Sequence, residues 1–304
     1  MSEHIKKSAH QARSDKNTSG LSDMRRGQGA DIWRRLKKSK LTIVSLIFIA
    51  ILILSAIFAD VIAPYDYAAV DLANTLQYPS LKHLMGTDDF GRDIFSRILY
   101  GGRISLLVAS ITVVISIVCA AVLGSIAGYF GGWFDAVIMR LMDIIMSIPG
   151  MLLAISIAAA LGTGIFNTAI AISISNIPAL TRIVRSSVLL LREREYVEAA
   201  ISFGASHGRI IRKHIIPNTL APLIVQSTLK FGDAILCIAS LSFIGLGIQP
   251  PTPEWGSILS NGRELVRSFW PIVTFPGIMI ALTMLAFNLA GDGLRDAMDP
   301  RLKQ

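Results

Sequence analysis

Six apolar runs, each near the roughly 20 residues needed to cross a bilayer, constrain this 304-residue chain more than any single motif. They fall near Leu41–Ala63, Ile104–Ala127, Ile144–Leu161, Ile165–Leu180, Leu220–Ile244 and Phe269–Leu289. Hydrocarbon offers backbone amides no water to bond, so runs of this length fold as helices. The chain therefore reads as all-α and polytopic, with six transmembrane helices. The fourth run is short and interrupted by Asn176 and Pro178, which neighbouring helices can accommodate by satisfying the freed carbonyl. The first run follows forty polar residues and exceeds the ~7–15 apolar residues of a signal peptide, so it is expected to remain as an anchor.

Charge predicts the orientation. Only 16% of residues are charged, against about 25% in soluble domains. Residues 1–40 hold eleven Lys/Arg and four Asp/Glu, a surplus of seven in a chain whose net charge is +8. Arg34, Arg35, Lys37, Lys38 and Lys40 stand directly before the first span, which predicts a cytoplasmic N-terminus. Six spans then put 128–143, 181–218 and the C-terminus on the same side. The outer loop carries Lys82, Arg92, Arg97 and Arg103, accompanied by five aspartates. The expected division is a basic tail over 1–40, an anchor helix over 41–63 and an extracytoplasmic loop over 64–103. A five-helix core over 104–292 follows, with a long polar loop at 181–222, and then a short tail over 293–304. Residues 1–33 are too polar to bury an ordered core. A basic tail beside a membrane span calls for anionic lipid before nucleic acid.

Several residues invite a chemical reading. Cys119 and Cys237 sit inside spans without metal or redox spacing and read as small buried hydrophobes. Gly204-Ala205-Ser206-His207-Gly208 satisfies G-x-S-x-G, but a nucleophile elbow needs a preceding strand, and none is expected there. His83, Asp88 and Asp89 are ligand types in one loop, although such carboxylates ordinarily cap helices. Phe90, Ile94, Phe95, Ile98 and Leu99 recur at helical spacing opposite Arg92, Asp93, Ser96 and Arg97. That pattern predicts an amphipathic helix at the outer interface that leads into the second span, serving as an anchor or lining a vestibule. Lys230 and Asp233 lie three apart on span five, as do Arg140 and Asp143 before span three. Both pairs are expected near the cytoplasmic interface, structural or path-lining.

The long polar loop carries the most specific pattern. Glu198-Ala199-Ala200, then Gly204, then Lys213-His214-Ile215-Ile216-Pro217-Asn218 predict a short helix, a glycine break, a second basic helix and a proline stop. A solvated helix of alternating charge would also hold Arg192, Arg194, Glu195 and Glu198. The pattern resembles the EAA loop of ABC importer membrane subunits: Glu-Ala-Ala, three residues, Gly, nine residues, Ile, one residue, Leu-Pro. Glu198, Ala199, Ala200, Gly204 and Pro217 match in register, while Ile216 replaces leucine and His214 takes the isoleucine position.

Four further segments extend the likeness: Ile62-Ala63-Pro64-Tyr65, the stretch 86–103, Leu241–Pro251 with Pro253-Glu254-Trp255-Gly256, and Phe287–Asp296. Together they resemble the second permease subunit of dipeptide, oligopeptide, glutathione and nickel ABC importers, from about Trp33 to Pro300. The resemblance implies a type I importer permease fold, one anchor helix and a five-helix core, in the bacterial inner membrane. It implies no bond chemistry and no cofactor; a G-x-x-x-x-G-K-[ST] loop is absent from the sequence, so ATP would be hydrolysed by other chains. It also implies a homologous permease as heterodimer partner, two cytoplasmic ATPase subunits that engage the 198–217 segment, and an external binding protein. Peptides or glutathione-like cargo are expected, with nickel as the alternative and a stand-alone channel or carrier as the rival class.

Overall fold

The computed structural model describes residues 33–37 and 39–298. Most of the basic tail and the last six residues, including Asp299 and Pro300, lie outside the described residues. Helix α1 (Lys40–Ile57) is capped by Ser39, whose hydroxyl accepts the Thr42 amide at 3.3 Å. It turns Val44, Ile47, Ile51 and Leu54 outward, as a lipid-facing helix must. A short α2 (Ala59–Ile62) leads into an irregular cap over the start of α3 (Ile94–Phe130).

The 37-residue α3 differs from its sequence reading. As expected, the helix leads into the span, and residues from Ile94 onward form the first turns of the spanning helix itself; the difference lies in its polar side. The polar side expected to face water is buried instead, with Asp93, Ser96 and Arg97 at 2%, 0% and 1% exposure. The cap closes over them and satisfies their charge. Arg92 Nε donates to Asp88 at 2.7 Å, Arg97 Nε lies 3.5 Å from the same carboxylate, and Arg97 also donates to the Tyr67 carbonyl. Asp93 accepts the Ser96 amide at 2.8 Å and holds His83 Nδ1 at 2.9 Å. His83, Asp88 and Asp89 are thus divided among ion pairs. Among the described residues, His, Cys, Asp and Glu form no group of three or more that could hold a metal ion.

The third apolar run is not one straight helix either. The stretch read as a loop, 128–143, is largely α4 (Gly132–Met146), and α5 (Gly150–Leu161) leaves it at 88°. Pro149 stands at the break, where its ring removes an amide and biases Ile148 away from helix. Helix α6 (Ile165–Arg192) carries Pro178 within it and extends twelve residues past its apolar run. Beyond it come α7 (Glu195–Ser202), α8 (His207–Ile210), a π-turn over Ile211–Ile215 and α9 (Ile216–Phe243). A short α10 (Trp255–Asn261) and the long α11 (Pro271–Met298) complete the described residues. Among the described residues, five helices are long and apolar enough to cross a membrane: α1, α3, α6, the run His207–Phe243, and α11. The bent pair α4–α5 makes a sixth if counted as one span.

Close backbone approach holds the bundle. Gly124 and Gly128 of α3 face Val184 and Val188 of α6; an added Cβ would meet those side chains at 2.6 and 2.8 Å. Lipid provides no hydrophobic force between helices, so small residues four apart are what let them pack tightly. Ser173 Oγ of α6 donates to the Thr112 carbonyl of α3 at 3.1 Å. Phe231 of α9 stacks on Phe287 of α11 at 4.1 Å between centroids. At the cap end Trp255 donates its indole N–H to the Ile98 carbonyl at 2.9 Å. Glu254 accepts the Gly256 and Ser257 amides at 2.9 Å and the Ser105 hydroxyl at 3.1 Å, tying α10 to α3.

Candidate functional site

At the bundle end opposite the cap, the chain leaves α6 and turns back into the run that becomes α9. The corner spans residues 193–206. Helix α7 ends in a Schellman motif: Gly204, at φ +74, donates to the Ile201 carbonyl at 2.9 Å, and Ala205 donates to Ala200 at 3.0 Å. Two end carbonyls are thereby satisfied, and the left-handed residue that this requires is glycine. Glu198, Ala199, Ala200 and Gly204 therefore share one helix-and-turn unit. Glu198, Ala199 and Gly204 are exposed, and Ala200 is half-buried.

The corner is exposed yet firmly based. Val197 is fully buried, in a cluster with Tyr129 of α3, Val184 and Val188 of α6, and Ile210 and Ile215 of the return run. Tyr129 OH and His207 Nδ1 lie 2.8 Å apart, and the Tyr196 and His214 rings meet at 6.2 Å. Small side chains at Ala200 and Ala205 pack at the edge of this cluster. On the outer side stand Phe203, 90% exposed, with Ile201 and Tyr196 at 48% and 43%. An apolar face on an exposed corner, flanked by Arg192, Arg194, Arg209 and Arg212, has the makeup of a protein-docking surface.

Pro217 is not a helix stop. It lies in the first turn of α9, within an unbroken helical run from His207 to Phe243. The π-turn just before it opens the ladder by one residue, which relieves the clash of the proline ring with the carbonyl four residues back. Pro217 is consequently set apart from the Glu198–Gly204 unit, three turns further along. Ser206 is the exposed N-cap of α8; a helix and turn precede it, and its neighbour His207 is engaged by Tyr129.

Ion pairs brace the same end. Arg185 of α6 donates twice to Asp135 of α4, and Arg182 donates to Asp143 at 2.5 Å. Asp143 thus pairs with α6, not with Arg140 one turn away. Sequence reading missed these pairs because their partners lie 39 and 50 residues apart. It also passed over the Gly124-x-x-x-Gly128 spacing, which was a usable signal. The Lys230–Asp233 pair is formed, Nζ to Oδ2 at 3.0 Å, but away from either end. Lys230 is fourteen residues from Ile216 and thirteen from Phe243, so it sits mid-helix. Placement near the interface was expected because the apolar run begins at Leu220, whereas the helix starts earlier.

The family described as "Binding-protein-dependent transport system inner membrane component" matches residues 120–304. The "N-terminal TM domain of oligopeptide transport permease C" matches residues 27–79. The dipeptide transport system permease protein DppC of Alkalihalophilus pseudofirmus is 51% identical over 273 residues, 90% of each chain. The glutathione transport system permease protein GsiD of Shigella flexneri is 48% identical over 274 residues, again 90% of each. Among solved structures, a chain of the MetNI methionine ABC transporter in inward-facing conformations superposes with a TM-score of 0.52 at 16% identity. It covers 67% of this chain and 97% of its own, a likeness of fold alone.

Proposed function

The chain belongs to the family of binding-protein-dependent transport system inner membrane components, and from that premise we propose that it is the peptide-conducting permease of an ATP-driven importer, coupled to its motor at Glu198–Gly204. It is a multi-pass membrane permease subunit with the type I ABC importer fold. The observation that carries the coupling is the corner itself: an exposed Glu-Ala-Ala–Gly turn with Phe203 bare beside it, on a buried foundation. A rigid base lets a push on the turn move α6 and α9 instead of deforming the loop. Two cytoplasmic ATPase subunits would supply that push, and the reading assigns all ATP hydrolysis to them. A homologous permease would complete the pore, and an extracytoplasmic binding protein would deliver cargo to the cap end.

In this reading the corner and both termini are cytoplasmic, following the Lys/Arg excess before α1 and around α7. Dipeptide and glutathione permeases at 48–51% identity support a small peptide as cargo. The test is purification from the native membrane in mild detergent, with mass spectrometry of what accompanies the chain. Two ATPases and a second permease are expected. A stable homo-oligomer free of any ATPase would overturn the proposal in favour of a channel.

A further inference from the structure

Lys230 and Asp233 stand where charge is least expected. Helix α9 has 28 residues and so is about 42 Å long, against a hydrocarbon layer of about 30 Å. Arg209, Arg212 and Lys213 keep that layer to the Ile216–Phe243 part of the longer helical run, and any stretch of about 20 residues there includes both Lys230 and Asp233. They line a chamber of about 360 Å³ together with Ser175 and Asn176 of α6 and Cys237 and Ser240 of α9. Both charges remain reachable, with 27% and 50% of their side chains exposed. The Ser175 and Ser240 hydroxyls donate to their own helices at 2.8 Å, leaving their oxygens as acceptors toward the space. Met151, Leu236 and Ser240 also line a second, apolar cavity of about 480 Å³. That cavity reaches Gly256 and Leu259 of α10 at the cap end. Intramembrane charges ordinarily mark a path or a partner, and here the space beside them shares Met151, Leu236 and Ser240 with an apolar cavity lined at the cap end by Gly256 and Leu259.

We propose that this chamber is a station for the charged termini of a zwitterionic peptide crossing the membrane. Lys230 receives the peptide carboxylate; Asp233, with the Ser175 and Ser240 oxygens, receives the ammonium; the adjoining apolar cavity takes the side chains. While empty, Lys230 and Asp233 neutralise each other. A zwitterion can replace that pair with two cross-pairs of the same net charge, so no unpaired charge is buried at any stage. A metal ion or a neutral solute offers no such exchange. The assignment rests on the importer reading above.

The test uses the complete importer, with its ATPases and binding protein, in proteoliposomes. A membrane-impermeant cationic thiosulfonate should modify Cys237, mapped by mass spectrometry, and alanylalanine should slow that modification during ATP turnover. Uptake of alanylalanine, its N-acetyl form and its C-terminal amide is then compared for wild type, Asp233→Asn and Lys230→Met. The binding protein is the same throughout, so its preference cancels in the ratio of variant to wild type. Asp233→Asn should shift selectivity away from the free ammonium about tenfold, and Lys230→Met away from the free carboxylate by as much, the value of one charge-assisted hydrogen bond. An unreactive Cys237, modification indifferent to peptide, or equal losses for all three peptides would overturn the station. A wild-type importer that takes up none of the three would instead overturn the importer reading.

Discussion

Gly204 shows what one residue contributes at the corner. Its φ of +74 is costly for a side chain, yet an added Cβ would meet nothing within 4 Å in this chain. In the proposed coupling, any crowding there would come from a docked ATPase subunit. Gly204→Asn should therefore keep the turn, since Asn tolerates the left-handed region, while Gly204→Asp should keep normal abundance and lose uptake. Immunoblotting beside a transport assay checks this; normal uptake by Gly204→Asp would remove the corner from the coupling. Glu254 makes a second prediction at this scale. Burial raises its pKa above the ordinary 4.5, opposed by hydrogen bonds from Gly256, Ser257 and Ser105. The folded protein then holds this proton to higher pH than the unfolded chain does. Stability from Glu254 is complete below 4.5 and is lost as pH rises through the folded value. Wild type should accordingly become more stable relative to the Glu254→Gln variant as pH falls, which detergent-phase melting of both proteins over a pH series would show.

Among the elements, α3 and α6 are the frame that carries the corner. Val184 and Val188 sit over Gly124 and Gly128 without room for a methyl group, and one turn beyond, α6 delivers the chain to α7. Gly124→Val would overpack this contact, a change that costs about 1–3 kcal/mol. Its expected outcome is a lowered melting temperature with loss of ATPase–transport coupling, whereas the same change at the open Gly208 should leave packing intact. Differential scanning fluorimetry on the two variants separates them. The ion pairs from α6 to Asp135 and Asp143 join the broken span to the same frame. In the proposed coupling, movement at the corner would reach α4 as well as α9 through these pairs.

At the scale of the molecule, the two bundle ends are built for different work. The cap end buries charge: Arg92 and Arg97 are held by Asp88, and His83 by Asp93. The other end leaves Phe203 bare. The proposed orientation predicts that Leu81→Cys, at a fully exposed cap position, reacts with an impermeant thiol reagent in intact cells or spheroplasts. Phe203→Cys should react only in inverted vesicles. The reverse pattern would invert the topology, and with it the side from which cargo enters.

Spacing along the chain sufficed for the apolar spans other than the third, the Glu198–Gly204 turn and the family likeness, because each rests on local rules: length against bilayer thickness, and glycine where a helix must end left-handed. Sequence also marked Lys230 and Asp233 as a pair. Their depth, and the chamber beside them, depended on where α9 begins and on what α6 brings alongside. The same holds for the burial of Arg97 under the cap, the bend at Pro149, and the passage of Pro217 through a π-turn without ending its helix. In each case the deciding contact joins residues far apart in sequence or depends on a neighbouring turn's geometry. A local pattern records which groups need a partner; only the packed helices determine which partner each one finds.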